Sequence, residues 1–220
     1  MQETMNILQS EFLKSCVETA QMMAITMVAC LVFGTLIGLI LHLTSNPMFF
    51  PNRIVNAIAG TIVNVIRSLP FIILLIILIP FTRLVAGTNL GSTAASVPLA
   101  IAAIPFFARL VEGAFSEVDK GVVEAAFSTG ASISLIIRKV LFVEAMPGLI
   151  RAFTVTFVSV IGYSAMAGSV GGGGIGDLAI RYGYYRYQSG VMWVTAAVLV
   201  IIVQFGQWLG DKVALKFTKK

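Results

Sequence analysis

A glutamate followed by two alanines, Glu124-Ala125-Ala126, stands between Lys120 and Gly130. These residue types suit docking rather than covalent chemistry. A carboxylate accepts strong hydrogen bonds from an Arg or from the backbone N–H groups of a partner, and small side chains let another backbone come close. Lys120 lies four residues before Glu124, so a local ion pair on one helical face is the alternative use of that carboxylate. A second polar group, Asn64, Arg67, Ser68 and Pro70, interrupts an apolar run. A charge in a bilayer core costs about 3 kcal/mol on insertion scales. Arg67 therefore faces protein or water, or it snorkels to a boundary. One use for it is an interhelical anchor, partnered by Glu112 or by backbone carbonyls freed at Pro70. The other is a residue bordering a translocation path, where Asn64 and Ser68, one turn apart on a helical face, add polar surface.

A third group joins Gly171, Gly173 and Gly176 to Arg181, Tyr182, Tyr184, Tyr185, Arg186 and Tyr187. The glycines match a G-x-G-x-x-G dinucleotide fingerprint in form only. They follow an apolar helix, no βαβ unit surrounds them, and Asp177 stands where a phosphate-binding loop would carry Lys. The chain is therefore not expected to bind or hydrolyse ATP. The glycines suit tight turns. The Tyr and Arg residues suit a short interfacial helix with an aromatic belt, or an interface with another protein. Nothing supports a covalent reaction or a cofactor. The single His, His42, makes no triad or metal site alone, and Cys16 and Cys30 form no CxxC pair. Met22, Met23 and Met27 read as filler of apolar helices.

The elements that must position these groups follow from composition. Of 220 residues, 58% are hydrophobic and 11% charged, against about 25% charged in soluble domains. Polar groups are too few to cover a soluble surface, and disorder requires the opposite balance. The net charge of +5 shows no basic cluster interleaved with stacking aromatics, which argues against nucleic acid. The residues near the start, Glu3, Glu11 and Glu18 against Lys14, lack the basic region of a secretory signal. Apolar stretches of roughly 20 residues are predicted at about 17–43, 54–81, 96–115, 149–169 and 191–209. The expectation is an all-α membrane protein, one domain over 1–220, with five transmembrane helices. Arg67 and Pro70 interrupt the second span; Pro98 and Pro105 punctuate the third. Lys and Arg decide orientation. Nine, among them Lys120, Arg138, Lys139, Lys212, Lys216, Lys219 and Lys220, flank the side holding the 116–148 loop and the C-terminus; four, Lys14, Arg83, Arg181 and Arg186, flank the other. The N-terminus is expected outside and the C-terminus in the cytoplasm.

The 116–148 loop reads as helix, elbow, helix at the membrane surface. Asp119 is placed to cap a helix from Lys120 to about Thr129, and Gly130 to end it in a left-handed turn. Ser132 or Ser134 would cap a second helix running through Leu135–Leu141. Gly34-x-x-x-Gly38 reads as a close helix contact, within the chain or between copies.

On these residues the chain resembles the permease subunits of ABC importers. Glu124-Ala125-Ala126, three residues, Gly130, and Val140 ten residues after it are similar to that family's EAA loop. The family's usual Pro is replaced by Val143, with Pro147 four residues later. Asn64–Leu75, with Arg67-Ser68-Leu69-Pro70-Phe71-Ile72, is similar to a segment of methionine-importer permeases. The Gly-rich and Tyr-rich stretch from Gly168 to Tyr187 is similar to their external loop. The resemblance covers about Ile7 to Lys220 and points to D- and L-methionine uptake, or to import of another amino acid. It implies that Lys120–Gly130 is a coupling helix docking in a cytoplasmic ATPase. It also implies a homodimer with the path on its two-fold axis, two ATPase subunits, and an extracytoplasmic methionine-binding lipoprotein received near Tyr182, Tyr184, Tyr185 and Arg186. The setting implied is the bacterial cytoplasmic (inner) membrane. A stand-alone secondary transporter is the rival reading, but no acidic residue is clearly central in a span.

Overall fold

The computed structural model describes residues 2–218, with side chains from Thr4 onward; Lys219, Lys220 and the Glu3 side chain, used in the charge reasoning above, lie outside the described residues. Helix α1 (Gln2–Ala29) continues through a π turn (Cys30–Gly34) into α2 (Thr35–Ser45). The first apolar stretch is thus part of one long helical rod that begins well before residue 17. The rod crosses α6 (Ser92–Ser116) at its two glycines. A Cβ at Gly34 would stand 2.7 Å from the Phe107 ring, and one at Gly38 2.6 Å from the Ala108 carbonyl. The Gly-x-x-x-Gly contact is therefore within the chain, and it admits no side chain. Gly38→Val is expected to destabilise the protein by about 1–3 kcal/mol, the usual cost of overpacking. A lowered melting temperature in detergent would show it; an unchanged one would mean that the crossing relaxes freely.

After a short loop, Asn52 caps α3 (Arg53–Ser68), its side-chain oxygen accepting from the Ile54 and Val55 N–H groups, both at 3.1 Å. Pro70 biases Leu69 to extended backbone (φ −82°, ψ 130°) and so ends this helix. Helix α4 (Phe71–Ile77) leaves at a bend of 104° from α3. The second predicted span is thus a broken pair, not one helix. Helix α5 (Ile79–Ala86) follows and stops at Gly87, which takes φ +73°. Both prolines inside α6 are buried.

Helix α7 (Lys120–Ser128) is separate and short. Helix α8 (Ile133–Ile136) runs through a π turn (Ile137–Leu141) directly into α9 (Phe142–Ala167). The sequence suggests a distinct surface helix ending near Leu141. The structure instead joins it to the next long helix: no Gly or Pro stands between Ile133 and Met146, and Pro147 is accommodated inside α9. A glycine-rich kink (Gly168–Gly172), with Val170 and Gly171 in non-helical backbone, leads to α10 (Gly174–Leu178), a further π turn (Ala179–Tyr184) and α11 (Ser189–Phe217).

The described residues form helices and no strand, so the fold is all-α. Three stretches, Thr4–Ser45, Ser92–Ser116 and Ser189–Phe217, are long and apolar enough to cross a membrane, and the bent pair α3–α4 makes a fourth if counted as one span. Helix α9 holds most of the remaining predicted span and is wedged between α6 and α11. The core lies where α1, α6 and α9 meet, around Met23, Met27, Cys30, Phe107, Val111 and Val160, with Met22 fully buried in an adjoining cluster. The methionines are packing residues, as their sequence setting suggests. His42 is buried against Phe115, with Nδ1 3.3 Å from the Ser116 hydroxyl.

Candidate functional site

The first helix of the predicted coupling loop, α7, forms between the residues placed to bound it. The Asp119 carboxylate accepts from the Gly121 N–H at 2.6 Å and starts α7. Gly130 takes φ +76° and ends it, its N–H donating to the Phe127 carbonyl at 3.0 Å. Ser132 occupies the N-cap of α8 without a side-chain capping bond. One face of α7 is apolar: Val123 is buried, and Ala126 and Phe127 pack with it against Phe49 and Ile136. The Phe49 and Phe127 rings lie 5.8 Å apart. Phe49 comes from the loop between α2 and α3, so α7 is fastened both to α8 and to the end of the first rod. The opposite face, with Lys120, Gly121, Glu124, Ala125 and Ser128, is exposed.

This arrangement divides the Glu-Ala-Ala motif. Glu124 and Ala125 face outward, while Ala126 faces the cluster that holds the helix down. The local pairing of Glu124 with Lys120 does not form; ion pairs form elsewhere, among them Arg109–Glu112, Arg181–Glu11 and Arg181–Asp177. Phe49 is the contributor that the motif reasoning missed. Its signal is an apolar triplet, Met48-Phe49-Phe50, directly after an Asn-Pro turn.

At the α3–α4 bend, Asn64, Arg67, Ser68 and Pro70 are all exposed on the surface of the chain. The Ser68 hydroxyl donates to the Asn64 carbonyl at 2.7 Å, so these two share a face as their spacing requires. Arg67 does not meet Glu112. Arg109 does, at 2.6 Å, and its other guanidinium nitrogen donates to the Asn64 side-chain oxygen at 3.2 Å and to the Gly60 carbonyl at 3.4 Å. The interhelical anchor predicted for Arg67 is therefore Arg109, which ties α6 to α3. Arg109 and Glu112 are neighbours by helical spacing, so two opposite charges one turn apart in an apolar helix were the available signal.

The Gly-rich and Tyr-rich loop after α9 is built on glycines and one acidic helix face. Gly171, Gly173 and Gly174 take φ of +89°, +74° and +85°, conformations that L side chains resist. Helix α1 supplies the acceptors that the start of α10 lacks. The Glu18 carboxylate accepts from the Gly174 N–H at 2.7 Å, and the Thr19 hydroxyl from the Ile175 N–H at 2.9 Å. Arg181 pairs with Asp177 at 3.1 Å and with Glu11 at 3.5 Å. Burial pushes the Asp177 carboxyl above its usual range; nearby Arg181 opposes that shift, and Glu18 and Glu11 reinforce it. Arg181 and Arg186 both lie over the Tyr182 ring, at 4.9 and 4.7 Å. Tyr184 and Tyr185 are exposed and touch edge to face. Among the described residues no group of three or more His, Cys, Asp or Glu is placed to hold a metal ion.

The arrangement is that of a short helix with one exposed face, a charged tie between α6 and α3, and a loop with exposed aromatic side chains. Residues 34–219 match the family described as the binding-protein-dependent transport system inner membrane component. The chain is 50% identical over 203 residues to the probable D-methionine transport system permease protein MetI of Pasteurella multocida (strain Pm70), covering 92% of this chain and 94% of that one. It is 48% identical over 172 residues to the methionine import system permease protein MetP of Bacillus subtilis (strain 168), covering 78% of each. Among solved structures it is similar to a chain of the MetNI methionine ABC transporter in an inward-facing conformation, with TM-score 0.90, 41% identity, and 94% and 96% of the two chains covered. A chain of an amino acid ABC transporter crystallised with histidines shares the fold at 20% identity and TM-score 0.76, with 93% of each chain covered.

Proposed function

The chain belongs to the family of binding-protein-dependent transport system inner membrane components, and from that membership we propose that it is the permease subunit of an ATP-driven methionine importer. The observation that carries the mechanism is α7: a short helix, capped at Asp119 and turned at Gly130, fastened on one face and open on the other. A cytoplasmic ATPase subunit receives the open face, with Glu124 accepting its hydrogen bonds and Ala125 allowing close approach. Two such ATPase subunits serve two copies of this chain, and the path runs between the copies. Closing the ATPase pair shifts the permease between outward and inward states through contacts that differ between those states. Asn64, Arg67, Ser68 and Pro70 border the path at the α3–α4 bend. A methionine-binding lipoprotein delivers substrate to the surface around Tyr182, Tyr184, Tyr185 and Arg186. ATP hydrolysis belongs to the partner. Five spans, an external N-terminus and a cytoplasmic C-terminus complete the reading, supported by the Lys and Arg asymmetry.

Two measurements test it. The reconstituted complex, given labelled L- and D-methionine with competing amino acids, is expected to accumulate methionine in an ATP-dependent way. Uptake of a different amino acid with methionine ineffective as competitor would replace methionine as substrate. For orientation, a thiol reagent that does not cross membranes is expected to label an N-terminal cysteine tag in intact cells. Labelling only after permeabilisation would invert the topology.

A further inference from the structure

The rod, α9 and α11 bound an open groove of about 800 Å³. Its floor is Phe107 of α6, with the Phe153 ring edge-on to it at 6.3 Å. Its accessible walls are Leu31 of the rod and Ile201, Phe205 and Leu209 of α11, all 46% to 65% exposed. Phe142 and Met146 line it at the start of α9. Of its two hydroxyls, on Thr35 and Thr154, the second donates to the Ile150 carbonyl at 2.9 Å. Helix α11 lies flush on α9 along one side: a Cβ at Gly206 would run into the Phe157 ring, and one at Gly210 into the Thr154 side chain. Among the described residues none of α3, α4 or α5 lines the groove, so it stands apart from the α3–α4 bend.

Helix α11 is long and apolar enough to cross a membrane, and the groove follows it from Ile201 to Val213, a rise of about 18 Å. Half of a hydrocarbon core is about 15 Å, so the groove has the depth of one leaflet. Ile202, Phe205, Leu209, Val213 and Lys216 recur every three or four residues and share one face of α11. Lys216 therefore stands in line with the groove, about 4.5 Å beyond Val213. Lys212 flanks it, its ammonium 4.6 Å from the centre of the Trp208 ring, a pairing suited to headgroup level. On the other wall, the π turn that carries the exposed Arg138 and Lys139 ends directly before Phe142. The nearby acids stand on opposite faces. Asp211 falls two residues from Leu209 and Val213, and Glu144 two from Phe142 and Met146, about 200° around each helix. An apolar slot one leaflet deep thus ends at cations. We propose that it holds an acyl chain of an anionic phospholipid, whose phosphate accepts from the Lys212 and Lys216 ammonium groups. The site rests on α11 spanning the bilayer and is independent of the transported substrate.

The test is native mass spectrometry of the complete complex in detergent, offered phosphatidylglycerol and phosphatidylcholine in equal amounts. Each copy of this chain is expected to retain a phosphatidylglycerol, preferred over phosphatidylcholine by about tenfold to thirtyfold, the joint worth of two lysines at a membrane surface. Lys212→Gln combined with Lys216→Gln is expected to bring the two lipids to near parity; both residues are exposed, so the fold is not at stake. Leu209→Trp fills the slot from its accessible wall and is expected to remove the bound lipid although both lysines remain. Ile201→Trp, at a position 65% exposed, repeats that measurement where Leu209→Trp does not assemble. Parity in the unmodified complex, or a preference unchanged by the paired lysine variant, overturns the site. A preference that survives the tryptophan variants also overturns it, leaving a charged surface without a slot. Oxidation that cross-links two copies through Leu209→Cys would put a second copy in the groove, and would equally overturn it.

Discussion

Ala125→Trp is expected to abolish methionine uptake while leaving membrane insertion, helix content and thermal stability as they are. Ala125 sits on the open face of α7 and is exposed, so an indole added there meets nothing in the chain itself. In the docking proposed above it meets the ATPase, where a methyl group lets the two backbones approach and a large aromatic side chain would hold them apart. The loss is about 2–3 kcal/mol of contact, on the order of 100-fold in the coupled population. Purified complex would show ATP hydrolysis no longer stimulated by binding protein and substrate, together with uptake near background. Normal uptake by Ala125→Trp would remove α7 from the coupling path. Glu124→Lys reports on the same contact through charge. Gly130 tests a different property, because no atom lies within 4 Å of the place a Cβ would occupy. Gly130→Ala therefore strains only the left-handed turn, by about 1–2 kcal/mol, and bends the elbow rather than blocking the face.

Arg109→Leu carries the second large effect. It removes the positive half of the pair that ties α6 to α3 and leaves the Glu112 carboxylate without its counter-charge in an apolar helix. Breaking a fully buried pair in this way costs about 3–5 kcal/mol. Here the side chains are 27% and 18% exposed, so about 2–3 kcal/mol is expected. Arg109→Leu combined with Glu112→Leu removes both charges and should recover most of the thermal stability. It should not recover transport, because Asn64 and Gly60 lose the donor that joins their helix to α6. Thermal melts of the single and double variants, read beside uptake, separate the two roles. A double variant as unstable as the single one would show that the charge pair is not the source of the loss.

What was legible in the sequence was local. Asp119 and Gly130 bracket α7 because capping and left-handed turns depend on residues within a few positions. Gly34 and Gly38 announce a crossing because only a missing Cβ permits one. The chain direction at the α3–α4 bend was half legible. Pro70 marks the break, but the angle depends on what α4 packs against, and Phe71, Leu74 and Leu75 are buried by residues far along the chain. Arg67 and Arg109 show the boundary most plainly. Each is an arginine in an apolar run, and each required a partner. The helical spacing of Arg109 and Glu112 held the answer, whereas the more conspicuous Arg-Ser-Leu-Pro string lies exposed on the chain's surface. The fastening of α7 by Phe49 and the capping of α10 by Glu18 join residues distant in sequence, and no local rule assigns such partners.

The unbroken passage from α8 through the π turn into α9 has a consequence for how this protein can change over evolutionary time. Where a flexible loop joins two helices, residues come and go freely. Here each residue inserted between Ile133 and Phe142 would rotate everything beyond it by about 100° relative to α7. The buried side of α9, facing α6, would turn toward the bilayer, while α7 stayed in place on Phe49. The interval between the coupling surface and the membrane helix is therefore a matter of angular phase. Substitutions within it are far easier to accommodate than any change in its length.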